Sequence, residues 1–253
     1  MPVAIKVKYL YNSGFAIDFD KYYIVLDYEK GKLDLPKDKK IIFVVSHSHA
    51  DHYNPAIFSM PGSEKASYVI SDDVESCNVY GDGKFIKLTD SAAETERKKI
   101  IYNPKRCFRA KPDMNFEFAG LDWNTFKSTD LGISTLFSVN GVSFFHAGDL
   151  TAWKWPNTPI QEQKKEVADY EAILDDIANY PVDIAFAPLD PRLMENAYLG
   201  SIMLIKKLNP QLFIPMHFRE TPQITRAFKE YFQGQTTTYI STIEYAGQDI
   251  LIN

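Results

Sequence analysis

The feature that most constrains this chain is an abrupt change of chemistry at residue 46. Ile41-Ile42-Phe43-Val44-Val45 is apolar without alternation, the pattern of a strand covered on both faces. It runs straight into Ser46-His47-Ser48-His49-Ala50-Asp51-His52, so three of the five histidines of the chain fall within six residues at the carboxyl end of a central strand.

Imidazole nitrogen and carboxylate oxygen are ligands that suit zinc, manganese or iron. His47 and His49, separated by the small Ser48, can aim at one ion from a single loop. Asp51 and His52 are offset from that pair and reach a second ion, so two adjacent sites are expected. The competing account is a histidine cluster satisfied by hydrogen bonds. It suits a lone histidine better than three beside an aspartate.

His-x-His-x-Asp-His after a hydrophobic strand resembles the signature of the metallo-β-lactamase superfamily, and the likeness extends from Asp27 to His217. It implies an α/β fold, a four-layer αββα sandwich of mixed sheets with helices on the outer faces. It also implies a role for residues far from the loop. Asp27, closing Ile24-Val25-Leu26, would orient the histidine loop through hydrogen bonds. Asp149, in Phe145-His146-Ala147-Gly148-Asp149, would bridge both metals, with Gly148 permitting the tight turn. His217, ending Phe213-Ile214-Pro215-Met216, would complete the second site, and this ending is similar to that of the ascorbate 6-phosphate lactonase-like branch.

The chain also departs from that pattern. The family usually carries another histidine before the hairpin that leads to the bridging aspartate, and none stands between Tyr53 and Phe145. The corresponding stretch is Lys127-Ser128-Thr129-Asp130, where Asp130 is either a substitute ligand or a turn residue before Gly132. The ligand count therefore favours the second site, and one or two ions are expected. His146 is read as a histidine supporting the ligands rather than binding metal. Trp153 and Trp155 are read as walls of a substrate pocket or as core. Arg192, in Asp190-Pro191-Arg192, is read as a grip on a substrate phosphate or carboxylate, or as a structural arginine.

The expected activity is that of a metal-dependent hydrolase, a metal-bound hydroxide attacking a small ester, lactone or phosphorylated substrate while Asp51 orients it. No Gly-x-Ser-x-Gly elbow suggests an acyl-enzyme route instead. Two alternatives are a phosphodiesterase or phospholipase-type activity and a non-catalytic metal-binding descendant of the fold. Zinc leads among the cofactors, followed by manganese or iron.

Composition narrows the partners. A formal charge of -5 with interspersed lysines leaves no basic stripe for nucleic acid. No apolar stretch approaches the roughly 20 residues that span a bilayer, and the residues before the first strand lack the basic-then-apolar pattern, so no export signal is expected. With Cys77 and Cys107 read as reduced thiols, a cytoplasmic protein acting on a small molecule is expected, with self-association into a homo-oligomer left open. The 253 residues are expected to form one domain, 1–253.

Short strands are expected at residues 5–9, 15–18, 22–27 and 41–45, and an alternating stretch at 116–127. Asn140-Gly141 predicts a hairpin between 133–139 and 142–146. Helices follow near 161–178, 201–208 and from Pro222 to Gly234, interleaved with strands at 184–187 and 212–216, and a final strand pair ends near Ile252. The lysine-rich stretch 30–40 is read as a solvated connecting loop.

Overall fold

The amino-terminal alternation produces a meander. Strands β1 (Ile5–Tyr11), β2 (Gly14–Phe19) and β3 (Tyr22–Leu26) pair in antiparallel succession, with turns at Asn12 and Asp20, whose positive φ such short polar side chains tolerate. The structure is a computed structural model that describes residues 4–75, 78–81, 83–87 and 91–252. After the lysine-rich loop, β4 (Lys40–Val45) joins β3 in parallel, and β5 (Ser67–Ser71) joins β4 in parallel. Every residue of β4 after Lys40 is buried, as an unalternating apolar run requires.

A small hairpin follows, formed by β6 (Asn78–Gly81) and β7 (Lys84–Lys87). Helix α1 (Ser91–Ile101) leads to β8 (Cys107–Ala110), which pairs in parallel with β5. None of these last four elements was legible beforehand. Helix α1 buries only Ile101 among its described positions, so it carries no apolar stripe to read. Cys107 is a buried free thiol pushed up to about 12 by burial, and Cys77 lies outside the described residues.

The next strands build a second sheet. The alternating stretch is broken at Ala119-Gly120, both at positive φ, into β9 (Met114–Phe118) and β10 (Leu121–Lys127). The hairpin predicted from Asn140-Gly141 is present as β11 (Ile133–Val139) and β12 (Val142–His146). Helix α2 (Ile160–Ile177) precedes β13 (Ile184–Pro188), and α3 (Leu199–Leu208) precedes β14 (Leu212–Met216). Strands β12, β13 and β14 are mutually parallel. Helix α4 (Gln223–Phe232) leads to the two-residue β15 (Tyr239–Ile240), and β16 (Asp249–Ile252) ends the chain.

The result is an α/β fold with two seven-stranded mixed sheets, ordered β16-β1-β2-β3-β4-β5-β8 and β15-β14-β13-β12-β11-β10-β9. The expected final strand pair is corrected: β15 closes the second sheet beside β14, whereas β16 returns to the first and pairs antiparallel with β1. Main-chain pairing to distant partners decided this, and nothing local encodes it. The chain divides into two compact units, one of Met1–Lys111, Phe118–Gly120 and Ala246–Asn253, the other of Pro112–Glu117 and Leu121–Tyr245. The first packs Phe43, Phe58 and Tyr68 beside β4 and β5, and the second packs Trp123, Phe137 and Phe144 across β10 to β12. No helix among the described residues is long and apolar enough to cross a membrane.

Candidate metal centre

In the first unit the histidine loop hangs from the carboxyl end of β4 and is braced by the residue that ends β3. Asp27 sits at φ 38, a left-handed conformation costly for a residue with a Cβ, and is fully buried. Its Oδ1 accepts from Ser46 N at 2.7 Å, and its Oδ2 accepts from Ser46 Oγ at 2.6 Å and lies 2.7 Å from His52 Nδ1. An ionised carboxylate can only accept, so His52 donates from Nδ1 and carries its lone pair on Nε2. Ser46 Oγ spends its one proton on Asp27. It therefore accepts from His47 Nδ1 at 2.9 Å, which places the His47 lone pair on Nε2 as well.

Three imidazoles are thus gathered at the end of one strand. His47 Nε2 and His49 Nδ1 are 3.0 Å apart, and the His47 and His52 ring centroids are 4.1 Å apart. Asp51 Oδ2 accepts from Asn12 Nδ2 at 3.2 Å and lies 3.9 Å from His52 Nε2. His49 is held from another side by a residue the sequence did not flag. Tyr80 of β6 exchanges main-chain hydrogen bonds with the loop, donating to Ser48 O at 2.7 Å and accepting from Ala50 N at 3.1 Å, and its ring stacks on His49 at 5.0 Å. Ser48 N also donates to Asp73 Oδ2 at 3.0 Å.

The second unit repeats the device with residues far apart in sequence. Gly148, at φ 56, turns the chain after β12 and presents the buried Asp149. His217 follows β14 at φ 60, in the same left-handed region as Asp27. Its Nδ1 lies 3.0 Å from Asp190 Oδ2, and its Nε2 lies 3.5 Å from Asp149 Oδ1. Asp190 follows β13, is buried, and has its carboxyl lowered to about 2. Burial alone would raise it, but the hydrogen bonds of His217 and then Arg192 outweigh that cost. The ionised Asp190 fixes His217 as an Nδ1 donor with its lone pair on Nε2.

The weaker sequence candidates fall around this second set. A carboxylate oxygen of Asp130 lies within 4.8 Å of one of Asp149, and the Asp130 side chain is on an exposed loop. That loop is pinned by Thr129 Oγ1, which donates to Thr151 O at 2.7 Å and accepts from Thr151 N at 3.1 Å. His146 is fully buried on β12, paired opposite Thr135 and near the Phe186 ring. Trp153 Nε1 donates to Asp149 O at 2.9 Å, and Trp153 and Trp155 stack at 5.6 Å. Arg192 forks onto the Asp190 carboxylate, its Nε 3.0 and 2.9 Å from the two oxygens. Asp190, whose role sequence reading missed, had one signal in common with Asp27: an aspartate at the carboxyl end of a buried strand.

These donors fit a divalent cation. Two nitrogens on a tetrahedral ion at about 2.1 Å are about 3.4 Å apart. The 3.5 Å Asp149–His217 separation matches such an edge, and the His47 and His49 nitrogens, 3.0 Å apart, would open by about 0.4 Å to reach it. All donors are nitrogen or oxygen, which suits zinc, iron or manganese and leaves out thiolate-selective metals.

No protein-family model matches the chain, and no curated protein sequence matches it. Solved structures do. Igni18, a metallo hydrolase from the hyperthermophilic archaeon Ignicoccus hospitalis KIN4/I, superposes with a TM-score of 0.65 at 16% identity, over 99% of each chain. YhfI from Bacillus subtilis, a metallo-β-lactamase fold protein, gives 0.58 at 10% identity over 98% of this chain and 99% of its own. CmlA, a diiron β-hydroxylase from Streptomyces venezuelae, gives 0.51 at 9% identity over 96% of this chain and 48% of its own. The chain has the metallo-β-lactamase fold.

Proposed function

We propose that this chain is a metal-dependent hydrolase whose metal ligands are His47, His49, Asp51, His52, Asp130, Asp149 and His217, with one or two divalent cations per chain. The observation that carries the reading is the repeated pairing of a buried aspartate with a histidine, Asp27 with His52 and Asp190 with His217, each fixing Nε2 as the lone-pair nitrogen. The likeness to a metallo hydrolase over the full chain supports the same reading. Zinc is the leading ion, with iron or manganese next, on the nitrogen-rich donor set.

A divalent cation held there would supply a coordinated water with its pKa lowered to roughly 7 and would polarise an ester, lactone or phosphoryl oxygen. Asp51, steadied by Asn12, orients the attacking water through its second carboxylate oxygen. Asp27 and Asp190 hold their histidines in one tautomer. Asp130 takes the place of the histidine that the family usually carries. The substrate is taken to be a small lactone or ester, with or without a phosphate group, on the resemblance of the segment ending at His217 to the lactonase-like branch. A phosphodiesterase would use the same residues.

The test is metal analysis of the purified chain with a panel of lactone, ester and phosphodiester substrates. His49→Ala and Asp51→Ala are expected to abolish turnover while thermal unfolding stays cooperative. Unchanged rates in either variant remove the hydrolase reading. Stoichiometric metal with no turnover on any substrate favours the non-catalytic alternative.

A further inference from the structure

Within the second unit, contacts form a closed circuit around the two proposed ligands. His217 Nε2 is 3.5 Å from Asp149 Oδ1, and Asp149 O accepts from Trp153 Nε1 at 2.9 Å. Trp153 stacks on Trp155 with ring planes 4° apart, and the Arg192 guanidinium lies over the Trp155 ring at 5.3 Å. Arg192 forks onto Asp190, and Asp190 Oδ2 returns to His217 Nδ1 at 3.0 Å. Trp153 also meets the His217 ring edge-on, with centroids 5.9 Å apart.

We propose that Arg192 is a positioning residue that sets the geometry of His217 and Asp149 together, an inference that rests on the reading of these two as metal ligands. Three features carry it. Asp190 is fully buried, and a buried carboxylate is costly unless a cation and hydrogen bonds compensate it. Arg192 supplies both in a two-pronged contact, and its main-chain N–H also donates to Asp190 Oδ1 at 2.9 Å. The guanidinium is planar and so can fork onto a carboxylate and stack on Trp155 at once, which a lysine ammonium cannot do. One side chain thus couples the element that orients His217 to the turn that presents Asp149.

The experiment compares Arg192→Ala and Arg192→Lys with the parent by two readouts. The first is nitrogen–proton correlation spectroscopy of the imidazoles in metal-free protein. His217 is expected to lose its single Nδ1–H tautomer in Arg192→Ala, while His52, braced by Asp27, keeps its own. The second is chelator competition with Zn²⁺, where affinity is expected to fall roughly 10–100-fold in Arg192→Ala and by a smaller factor in Arg192→Lys. If Arg192→Ala does not fold, Arg192→Lys decides by the same two readouts. A His217 tautomer and Zn²⁺ affinity unchanged within about twofold in the folded variants overturn the proposal. A parent chain that binds no Zn²⁺ defeats the metal reading instead, and the metal-free tautomer measurement still decides the role of Arg192.

Discussion

The two proposed donor sets are assembled by opposite means. In the first unit, four donors come from six consecutive residues, and their orientation is set at short range by Ser46 and by Asp27 on the neighbouring parallel strand. In the second unit, Asp149 and His217 are 68 residues apart in sequence, brought together because β12, β13 and β14 run parallel and end at one edge. Both sets place a residue at a costly positive φ just beyond a buried strand, Asp27 at 38 and His217 at 60. In the first the strained residue is the brace, and in the second it is the proposed ligand. The compact set can be shaped by one loop, whereas the dispersed set depends on the packing of three strands and the helices between them.

Removing one histidine from each set is the strongest way to break this comparison. His52→Ala and His217→Ala are each expected to cut turnover roughly a thousandfold and to lower bound metal. Elemental analysis beside steady-state kinetics measures both, and full metal content with full activity in either variant separates the two sets.

The braces give the next largest effect. Asp27→Asn and Asp190→Asn are each expected to weaken metal affinity about 10–100-fold by chelator competition. Asp27→Asn should cost more stability, about 1–3 kcal/mol by denaturant unfolding, because Ser46 N and Oγ also depend on that carboxylate. For Asp190 the folded carboxyl lies below its ordinary 3.8, at about 2, so its contribution is complete above that ordinary value and is lost as pH falls through 2. Asp190→Asn is expected to remove this part of the acid limb of stability in the metal-free protein. An acid limb identical to that of the parent contradicts the pairing.

Packing beneath the dispersed set is sharpened by Gly200. A Cβ built there meets Thr151 Oγ1 at 2.0 Å, and Thr151 is what pins the Asp130 loop through Thr129. Gly200→Ala is expected to destabilise by about 1–3 kcal/mol, read as a shift of a few degrees in thermal midpoint. A parent-like midpoint shows that the helix start gives way without strain. The smallest effect is at the compact set: Tyr80→Leu removes the ring on His49, worth about 0.5–1.5 kcal/mol, so metal affinity should drop by about 2–10-fold while Tyr80→Phe stays near the parent. Equal affinities for Leu and Phe variants assign Tyr80 a main-chain role only.

Sequence reading recovered the strands whose apolar pattern is regular, β1 to β4 and β11 to β14, and the hairpin at Asn140-Gly141. It missed β5, β8 and α1, whose short or charged runs carry no clear period, and it paired the last two strands with each other rather than with distant partners. Of the site, the histidine loop was visible because its chemistry is contiguous. Arg192 was noted as a substrate contact or a structural arginine, and its fork onto Asp190 became visible only with the side chains in place.

What the chain's order of residues settled by itself was the donor-rich loop after β4 and the residue types that close β3, β12 and β14, because each follows directly from a buried apolar run. Which ring nitrogen each histidine presents, that Asp190 and not Asp149 braces His217, and that Tyr80 grips the loop were decided by tertiary structure. Hydrogen bonds of about 3 Å are made between groups whose distance depends on strand register and on the return path of the chain, and neither is written locally.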